Sequence, residues 1–144
     1  MHPDFPLPDV EWEPTREFWA GAARGALLIP RCAACARYVW YPQVPCRYCG
    51  GAHLTWTEVS GRGRLFSWSV VRYAWIPQVA DRLAFVSGLV ALEEDPSVRL
   101  VTCVVDCTPN ALRCDMPVRV VFRPLRYAGI ERTVLAPMFA PAGA

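Results

Sequence analysis

The chain has 144 residues, enough for one ordinary domain or for a small domain with an added module. Its 15 basic residues, all of them arginine, exceed its 13 acidic residues by only two, which disfavours a nucleic-acid-binding protein because such proteins usually carry a strong basic surplus. The 53% share of hydrophobic residues predicts a rich β core or a large apolar interface with a partner protein, and the sequence leaves both open.

The start of the chain shows neither a secretory signal nor an apolar run long enough to span a membrane. We therefore expect a cytoplasmic protein that does not associate with a membrane. In that reducing compartment the seven cysteines would serve as metal ligands and not as disulfides. The proline-rich beginning would also suit a linker, so the chain is either a stand-alone protein or a domain of a longer one.

Residues 1–26 are predicted to form an extended arm followed by one short helix. Pro14 stands where a helix favours its first residue, and Gly25 is a stop signal. The pattern predicts a helix over residues 15–24, which either packs on the rest of the chain or docks on a partner.

Residues 27–53 carry two CxxC pairs, Cys32 with Cys35 and Cys46 with Cys49, ten residues apart. Each CxxC turn supplies two thiolates, and two turns together complete the tetrahedral site of a structural zinc ion. Iron is an alternative occupant of such a site. A redox dithiol is disfavoured because it normally has one CxxC beside a βαβ pattern. A closed four-thiolate site has no open position for substrate, so the metal is predicted to hold the fold and not to catalyse.

The pattern of residues 54–144 predicts β structure throughout. Five strands with no long helix indicate a small barrel. The C-terminal tail is expected to be flexible. The first of these strands, LFSWSVVRY, alternates so that Phe66, Trp68 and Val70 are expected on one face. The later strands are expected within four segments, which are 83–92, 98–107, 118–122 and 131–139.

The sequence offers no catalytic centre of its own. Its two histidines are His2 in the arm and His53 beside the second CxxC, and neither suits a Ser-His-Asp or Cys-His site. The three further cysteines, Cys103, Cys107 and Cys114, are expected to be buried thiols that pack like small apolar groups.

The stretch GRGR at 61–64 contains glycines and arginines but precedes a strand. A phosphate-binding loop would instead precede a helix. The stretch is therefore expected to be an exposed turn, with a phosphate contact by Arg62 or Arg64 as the alternative.

Taken in chain order, these features resemble a known family. EFWAGAARGALLIPRC leads into the paired CxxC motifs, and LTWTEVSGRGRLFSWSVV, CDMPVRVVF and APMF follow. From about residue 15 to 139 the chain resembles the family that joins a rubredoxin-like zinc ribbon to a C-terminal OB-fold barrel. The resemblance implies a mainly β fold with a short N-terminal helix, a zinc ribbon and a five-stranded OB-fold barrel.

Members of this family act beside thiolase-fold enzymes, and sometimes beside hot-dog-fold hydratases, in acyl-CoA pathways. The resemblance implies a non-catalytic subunit of a lipid-transfer-protein-like thiolase-fold enzyme, arranged as a heterotetramer around a partner homodimer. Retro-aldol cleavage of a steroid side-chain CoA thioester is the favoured reaction, with coenzyme A thioester as the substrate of the complex.

Three alternatives remain open. The chain could be a subunit of an acyl-CoA thiolase, acyltransferase or hydratase. It could be a single-stranded nucleic-acid-binding module, with Phe66, Trp68 and Arg72 on one strand face. It could also bind acyl-CoA as an independent carrier.

The chain departs from the family pattern at Asp115, where many relatives have glycine, and in residues 72–85, which are unusually long and aromatic. Aromatic and aliphatic side chains of this loop and of the last strand are candidate partner anchors: Tyr73, Trp75, Ile76 and Phe139. The loop residues would alternatively cap the barrel mouth. Candidate contacts to CoA phosphates are four arginines: Arg62, Arg64, Arg72 and Arg82.

Overall fold

The computed structural model describes residues 2–143. Within that range it contains one α-helix, seven β-strands and three short 3-10 helices. The α-helix and strands are α1 Arg16–Ala23, β1 Leu28–Cys32, β2 Leu54–Glu58, β3 Arg62–Val71, β4 Phe85–Leu92, β5 Arg99–Val104, β6 Pro117–Leu125 and β7 Val134–Pro141. The 3-10 helices are Glu13–Thr15, Pro77–Arg82 and Pro109–Ala111.

The helix α1 is one residue shorter at each end than predicted. Pro14 lies in the 3-10 turn just before α1, and Gly25 follows its end with a left-handed φ of 78°. Gly21 allows the helix to approach β1 closely, because a Cβ at this position would lie 2.7 Å from Leu28 Cγ. The helix therefore packs on its own chain.

Two sheets follow, as the sequence predicted. Strands β1 and β2 form an antiparallel pair from Leu28 opposite Glu58 to Cys32 opposite Leu54. The other five strands close into a barrel in the order β3-β4-β5-β7-β6. The mainly β fold, with a ribbon ahead of a five-stranded OB-fold barrel, is confirmed.

The ribbon and the barrel share one hydrophobic core. Phe18 of α1 and Ile29 of β1 belong to the same buried cluster as Leu65 and Val90 of the barrel. Strand β2 hydrogen-bonds to β1 and not to the barrel. The pairing therefore favours a junction after β2, whereas the predicted division at residue 53 would place β2 with the barrel.

The structure corrects the predicted face of β3. A β-bulge shifts the register between Leu65 and Ser67. Leu65 is fully buried, whereas Phe66 is 47% exposed, and Trp68 and Val70 pack against the core. The prediction that Phe66 shares a face with Trp68 and Val70 was wrong, because a bulge inserts one residue and breaks the alternation.

The last strand brings a second correction. Phe139 has 0% exposure and lies in the barrel core, so its side chain is not available as a partner anchor. The prediction of a flexible tail over residues 140–144 was wrong for Ala140 and Pro141, because both belong to β7. Ala144 lies outside the described residues. No helix in the described range is long and apolar enough to cross a bilayer.

Gly88 of β4 is expected to be intolerant of a side chain. A Cβ at this position would lie 2.5 Å from Val104 Cγ2 and 3.4 Å from Leu65 Cδ1. Overpacking of this kind costs about 1–3 kcal/mol, so Gly88→Ala should lower the melting temperature by several degrees. The matched control is Gly143→Ala, whose new Cβ would contact nothing within 4 Å. Equal melting temperatures for the two variants would contradict the expectation.

Candidate metal centre and binding surfaces

The two CxxC segments fold into the same tight turn. The amide of Ala36 donates to the carbonyl of Cys32 at 2.9 Å, and the amide of Gly50 donates to that of Cys46 at 2.8 Å. Ala36 and Gly50 both have left-handed backbones, with φ of 62° and 78°. Glycine adopts this conformation without cost. Each turn leaves both of its cysteine side chains on the inner side.

The four sulfur atoms form one cluster, in which all of them lie within 4.8 Å of one another. The Sγ atoms of Cys32 and Cys49 are 3.5 Å apart, and those of Cys35 and Cys46 are 3.9 Å apart. Tetrahedral zinc with Zn–S bonds of 2.3 Å places its sulfurs about 3.8 Å apart. The donor set therefore fits a structural zinc ion, and it uses all four predicted ligands.

Backbone amides point at these sulfurs. The amide of Tyr48 donates to Cys46 Sγ and that of Gly51 to Cys49 Sγ, each at 3.4 Å. Gly51 is required here, because a Cβ would lie 2.9 Å from Cys32 Sγ. These donors favour the thiolate form that binds metal.

The thiols of Cys32 and Cys49 shift each other's pKa in opposite directions. A backbone hydrogen bond from Cys35 lowers the pKa of Cys32 to about 6. The Gly51 amide lowers the pKa of Cys49, but the neighbouring Cys32 sulfur and burial outweigh it and raise that pKa to about 11. The two groups titrate as a pair, so one thiolate forms first and the second forms when a cation replaces its proton.

Two further contacts brace the ribbon. The Arg37 guanidinium lies 3.8 Å from the centre of the Tyr48 ring, and this contact joins the two CxxC turns. Val39 is fully buried beside Cys32 and Cys46. His53 supplies a backbone carbonyl to the amide of Ala33, while its side chain lies outside the sulfur cluster.

The loop between β3 and β4 presents aromatic side chains to solvent. Tyr73 is 79% exposed and Trp75 is 62% exposed, whereas Val79 is buried and attaches the loop to the barrel. Ile76 is half-buried. Of the predicted loop anchors, Tyr73 and Trp75 are therefore open to a partner, and Ile76 is open only in part.

The four arginines predicted to contact phosphates do not form one site. Arg62 begins β3 and Arg72 follows its last residue, so the ten-residue strand separates them by roughly 30 Å. Arg62 pairs with Glu93 at 2.8 Å, and Arg64 donates to the Asp115 carbonyl at 3.1 Å.

Arg82 lies at the other end of the barrel in an apolar setting. Its guanidinium carbon is 5.8 Å from the Phe85 ring centre and 5.2 Å from that of Tyr127. Its Nη2 lies 3.9 Å from Cys103 Sγ. Arg72 is exposed beside the aromatic loop.

The remaining cysteines only partly follow the prediction. Cys103 and Cys107 are half-buried, and burial raises the pKa of each thiol. Cys114 is exposed, so the prediction of a buried thiol was wrong there. It follows a 3-10 turn and precedes β6, where no strand alternation directs a side chain inward.

Two family models divide the chain between them. Residues 19–55 match the rubredoxin-like zinc ribbon domain of ChsH2, and residues 56–123 match the ChsH2 C-terminal OB-fold domain. The chain belongs to the ChsH2 family. The match includes all four cysteines of the cluster, the first three strands of the barrel and most of the fourth, β6.

One solved structure extends the likeness to almost the whole chain. The structure described as the Ltp2-ChsH2(DUF35) aldolase is 27% identical, covers 94% of this chain and 98% of that chain, and has a TM-score of 0.78. A DUF35-family protein of unknown function from Sulfolobus solfataricus has a TM-score of 0.57 at 10% identity, over 78% of this chain and 81% of that one. It shows the shared fold alone.

Two curated relatives also match. The "Probable enoyl-CoA hydratase alpha subunit" of Thermomonospora curvata is 32% identical over 126 residues, which are 87% of this chain but only 37% of that protein. A DUF35 domain-containing scaffold protein of Methanothermobacter thermautotrophicus is 29% identical over 105 residues, 72% of this chain and 77% of the relative. The chain thus spans little more than a third of the first relative.

Sequence reasoning missed a third surface feature, an arginine cluster on the outer face of the barrel. Arg99 and Arg119 join Arg62 and Arg64 there through strand pairing. The register between distant strands is what places them together. In the sequence only the GRGR stretch indicated positive charge here, and it contains just two of these four arginines, Arg62 and Arg64.

Proposed function

We propose that this chain is a non-catalytic subunit of a thiolase-fold enzyme that cleaves an acyl-CoA by a retro-aldol reaction. The observation that carries the proposal is the likeness to the Ltp2-ChsH2(DUF35) aldolase, which extends over 94% of this chain at 27% identity. The Methanothermobacter relative is described as a scaffold protein, and this description also favours a structural role in an assembly.

In the proposed reaction the substrate is a β-hydroxyacyl-CoA. A base removes the proton of the β-hydroxyl, the bond between the α and β carbons breaks, and a carbonyl forms at the β carbon. The electron pair of the broken bond passes to the α carbon as a CoA thioester enolate, which then takes up a proton. The products are a ketone or aldehyde and a shortened acyl-CoA. We assign the base to the partner.

The zinc ribbon would serve this role by holding a rigid surface in place. Helix α1 and strand β1 share a core with the barrel, and the two turns pack around a small cluster of their own. The metal would therefore hold the turns in shape on a ribbon that is already attached to the barrel. We propose that Tyr73 and Trp75 of this loop contact the partner, in a cytoplasmic heterotetramer built around a partner homodimer. A steroid side-chain thioester is the proposed substrate.

A second candidate is a subunit of a hydratase. It is favoured by the 32% identity to the Thermomonospora hydratase subunit, of which this chain spans 37%. In that arrangement a hot-dog-fold hydratase would be joined to, or bound by, this chain. The two candidates are compatible, because hydration of an enoyl-CoA yields the β-hydroxyacyl-CoA that a retro-aldol reaction consumes.

The test is reconstitution. The zinc-loaded chain and a thiolase-fold protein from the same organism would be purified separately, mixed and assayed for release of ketone from a β-hydroxyacyl steroid CoA thioester. We expect cleavage only from the mixture. Activity of the partner alone at the same rate would contradict the accessory role. Thiolysis of a β-ketoacyl-CoA without any retro-aldol cleavage would replace the aldolase by a thiolase.

A further inference from the structure

The outer face of the barrel carries a row of arginines across three strands. Arg64 of β3 pairs in register with Ala91 of β4, and Ala91 pairs with Arg99 of β5. Register partners point to the same face of a sheet. The two arginines are therefore separated by one small side chain and by about 10 Å, two strand spacings.

A second pair of arginines lies beside this row. Arg62 of β3 is directly opposite Arg119 of β6, and both are exposed. Like charges directly opposite each other destabilise a pair of strands. Within residues 2–143 the only ion pair made by these four arginines is that of Arg62 with Glu93 at 2.8 Å. The face therefore carries uncompensated positive charge, although the net charge of the chain is only +2.

An aromatic ring borders the same face. The bulge in β3 turns Phe66 outward, and the Arg99 guanidinium lies 3.9 Å from its ring centre. Stacking on the ring holds the plane of the guanidinium while its edge N–H groups remain free to donate. The bulge thus places one apolar surface and one oriented cation side by side.

These groups line a hollow of about 680 Å³. Three arginines face it, namely Arg62, Arg64 and Arg99, and the acidic residues along it are Glu93 and Asp115. Glu93 is already paired with Arg62. Asp115 faces Arg64 with its backbone carbonyl, which accepts at 3.1 Å. Arg64 and Arg99 are thus the cations left to bind a ligand.

We infer that this hollow binds the phosphate groups of a nucleotide, with Arg64 and Arg99 on the phosphate and Phe66 beside the base. Arg64 and Arg99 line the same hollow on either side of Ala91, and a phosphate offers several oxygens and two charges to two guanidinium groups. An exposed aromatic ring next to them suits a planar base. An acidic peptide would use the cations but not the ring.

The nucleotide has two possible sources, a free nucleotide or the adenosine bisphosphate end of coenzyme A. The second source rests on the proposed acyl-CoA function, and the first does not. Binding can be measured on the full chain without a partner. A failure to bind nucleotide would therefore not contradict the proposed role in the reconstituted cleavage reaction.

The test is isothermal titration of the zinc-loaded chain with adenosine 3′,5′-bisphosphate, with ADP and with pantetheine. We expect saturable binding of the bisphosphate and no binding of pantetheine, which lacks a phosphate. Tighter binding of the bisphosphate than of ADP would identify coenzyme A as the source, and equal binding would identify a free nucleotide. Tighter binding of a single-stranded oligothymidylate, with a steep salt dependence, would overturn the small-molecule site.

Variants locate the site. Arg64→Gln and Arg99→Gln should each weaken bisphosphate binding roughly tenfold, the effect of losing one charge-assisted hydrogen bond. Phe66→Ser should weaken nucleotide binding, because it removes both the ring beside the base and the surface on which Arg99 stacks. Arg72→Gln is the control, because Arg72 is also exposed and follows the far end of β3. Unchanged affinity in the first two variants, or an equal loss in the control, would overturn the inference.

Discussion

Replacement of Cys32 by serine is expected to remove zinc from the chain and to unfold the ribbon while the barrel persists. Cys32 is the last residue of β1 and is almost fully buried. Serine stays neutral at this position and leaves only three thiolates. Structural zinc contributes about 10–16 kcal/mol in small zinc-binding peptides, which is comparable to the whole stability of a typical domain. The ribbon has no comparable core of its own to replace that contribution.

The barrel should respond differently, because its core comes mainly from its own strands. Leu65, Val90 and Val118 are all nearly fully buried and lie on three different barrel strands. Hydrogen exchange resolved by segment should show rapid exchange in β1 and β2 and slow exchange in β4. Elemental analysis should give less than one zinc ion per chain.

Cys114→Ser is the matched control for this experiment. Cys114 is an exposed thiol outside the sulfur cluster, so its variant should keep one zinc ion per chain and a protected ribbon. A Cys32→Ser chain that retains full zinc and slow exchange in β1 would show that three thiolates are sufficient, and the structural role would have to be abandoned.

The sequence predicted the metal centre better than any other feature. Four cysteines at CxxC spacing leave little freedom, since a tetrahedral ion dictates where the sulfurs must lie. The barrel was also predictable, because alternation and turn residues act locally. The sequence also showed that the loop holding Tyr73 and Trp75 is aromatic, but it left open whether these side chains cap the barrel or face solvent, and the structure places both in solvent.

Features that depend on register could not be predicted. One inserted residue at Phe66 reverses the face of part of β3, and nothing in the alternation of LFSWS marks the insertion. Phe139 appeared as an anchor in the sequence, yet the closing strand turns it into the core. The approach of Arg99 to Arg64 requires the pairing of both strands with β4. Such contacts arise only once the barrel is closed.

The three surfaces of the molecule are separated in space, and this separation bears on its function. The metal cluster lies at the ribbon, the aromatic loop follows the end of β3, and the arginine face includes its beginning. The strand itself spans roughly 30 Å. A contact confined to the loop would therefore not include the arginine hollow.

Substitutions in the aromatic loop between β3 and β4 are expected to have the second large effect, on binding of the partner. The double variant Tyr73→Ser with Trp75→Ser is expected to abolish stable association with the thiolase-fold partner. Buried tyrosine and tryptophan anchors each contribute about 2 kcal/mol or more at interfaces, so the two together should raise Kd by at least about a thousandfold. Titration of the partner with the variant chain would measure the change.

The variant should fold normally, because both side chains are exposed and exposed substitutions usually change stability by less than about 0.5 kcal/mol. Tyr41→Ser is the matched control, since Tyr41 is an exposed aromatic residue of the ribbon and not of the loop. Wild-type affinity in the loop variant would remove the loop from the interface. If Tyr41→Ser lost binding in its place, the ribbon would be the docking surface, and the zinc ion would then hold the interface itself in shape.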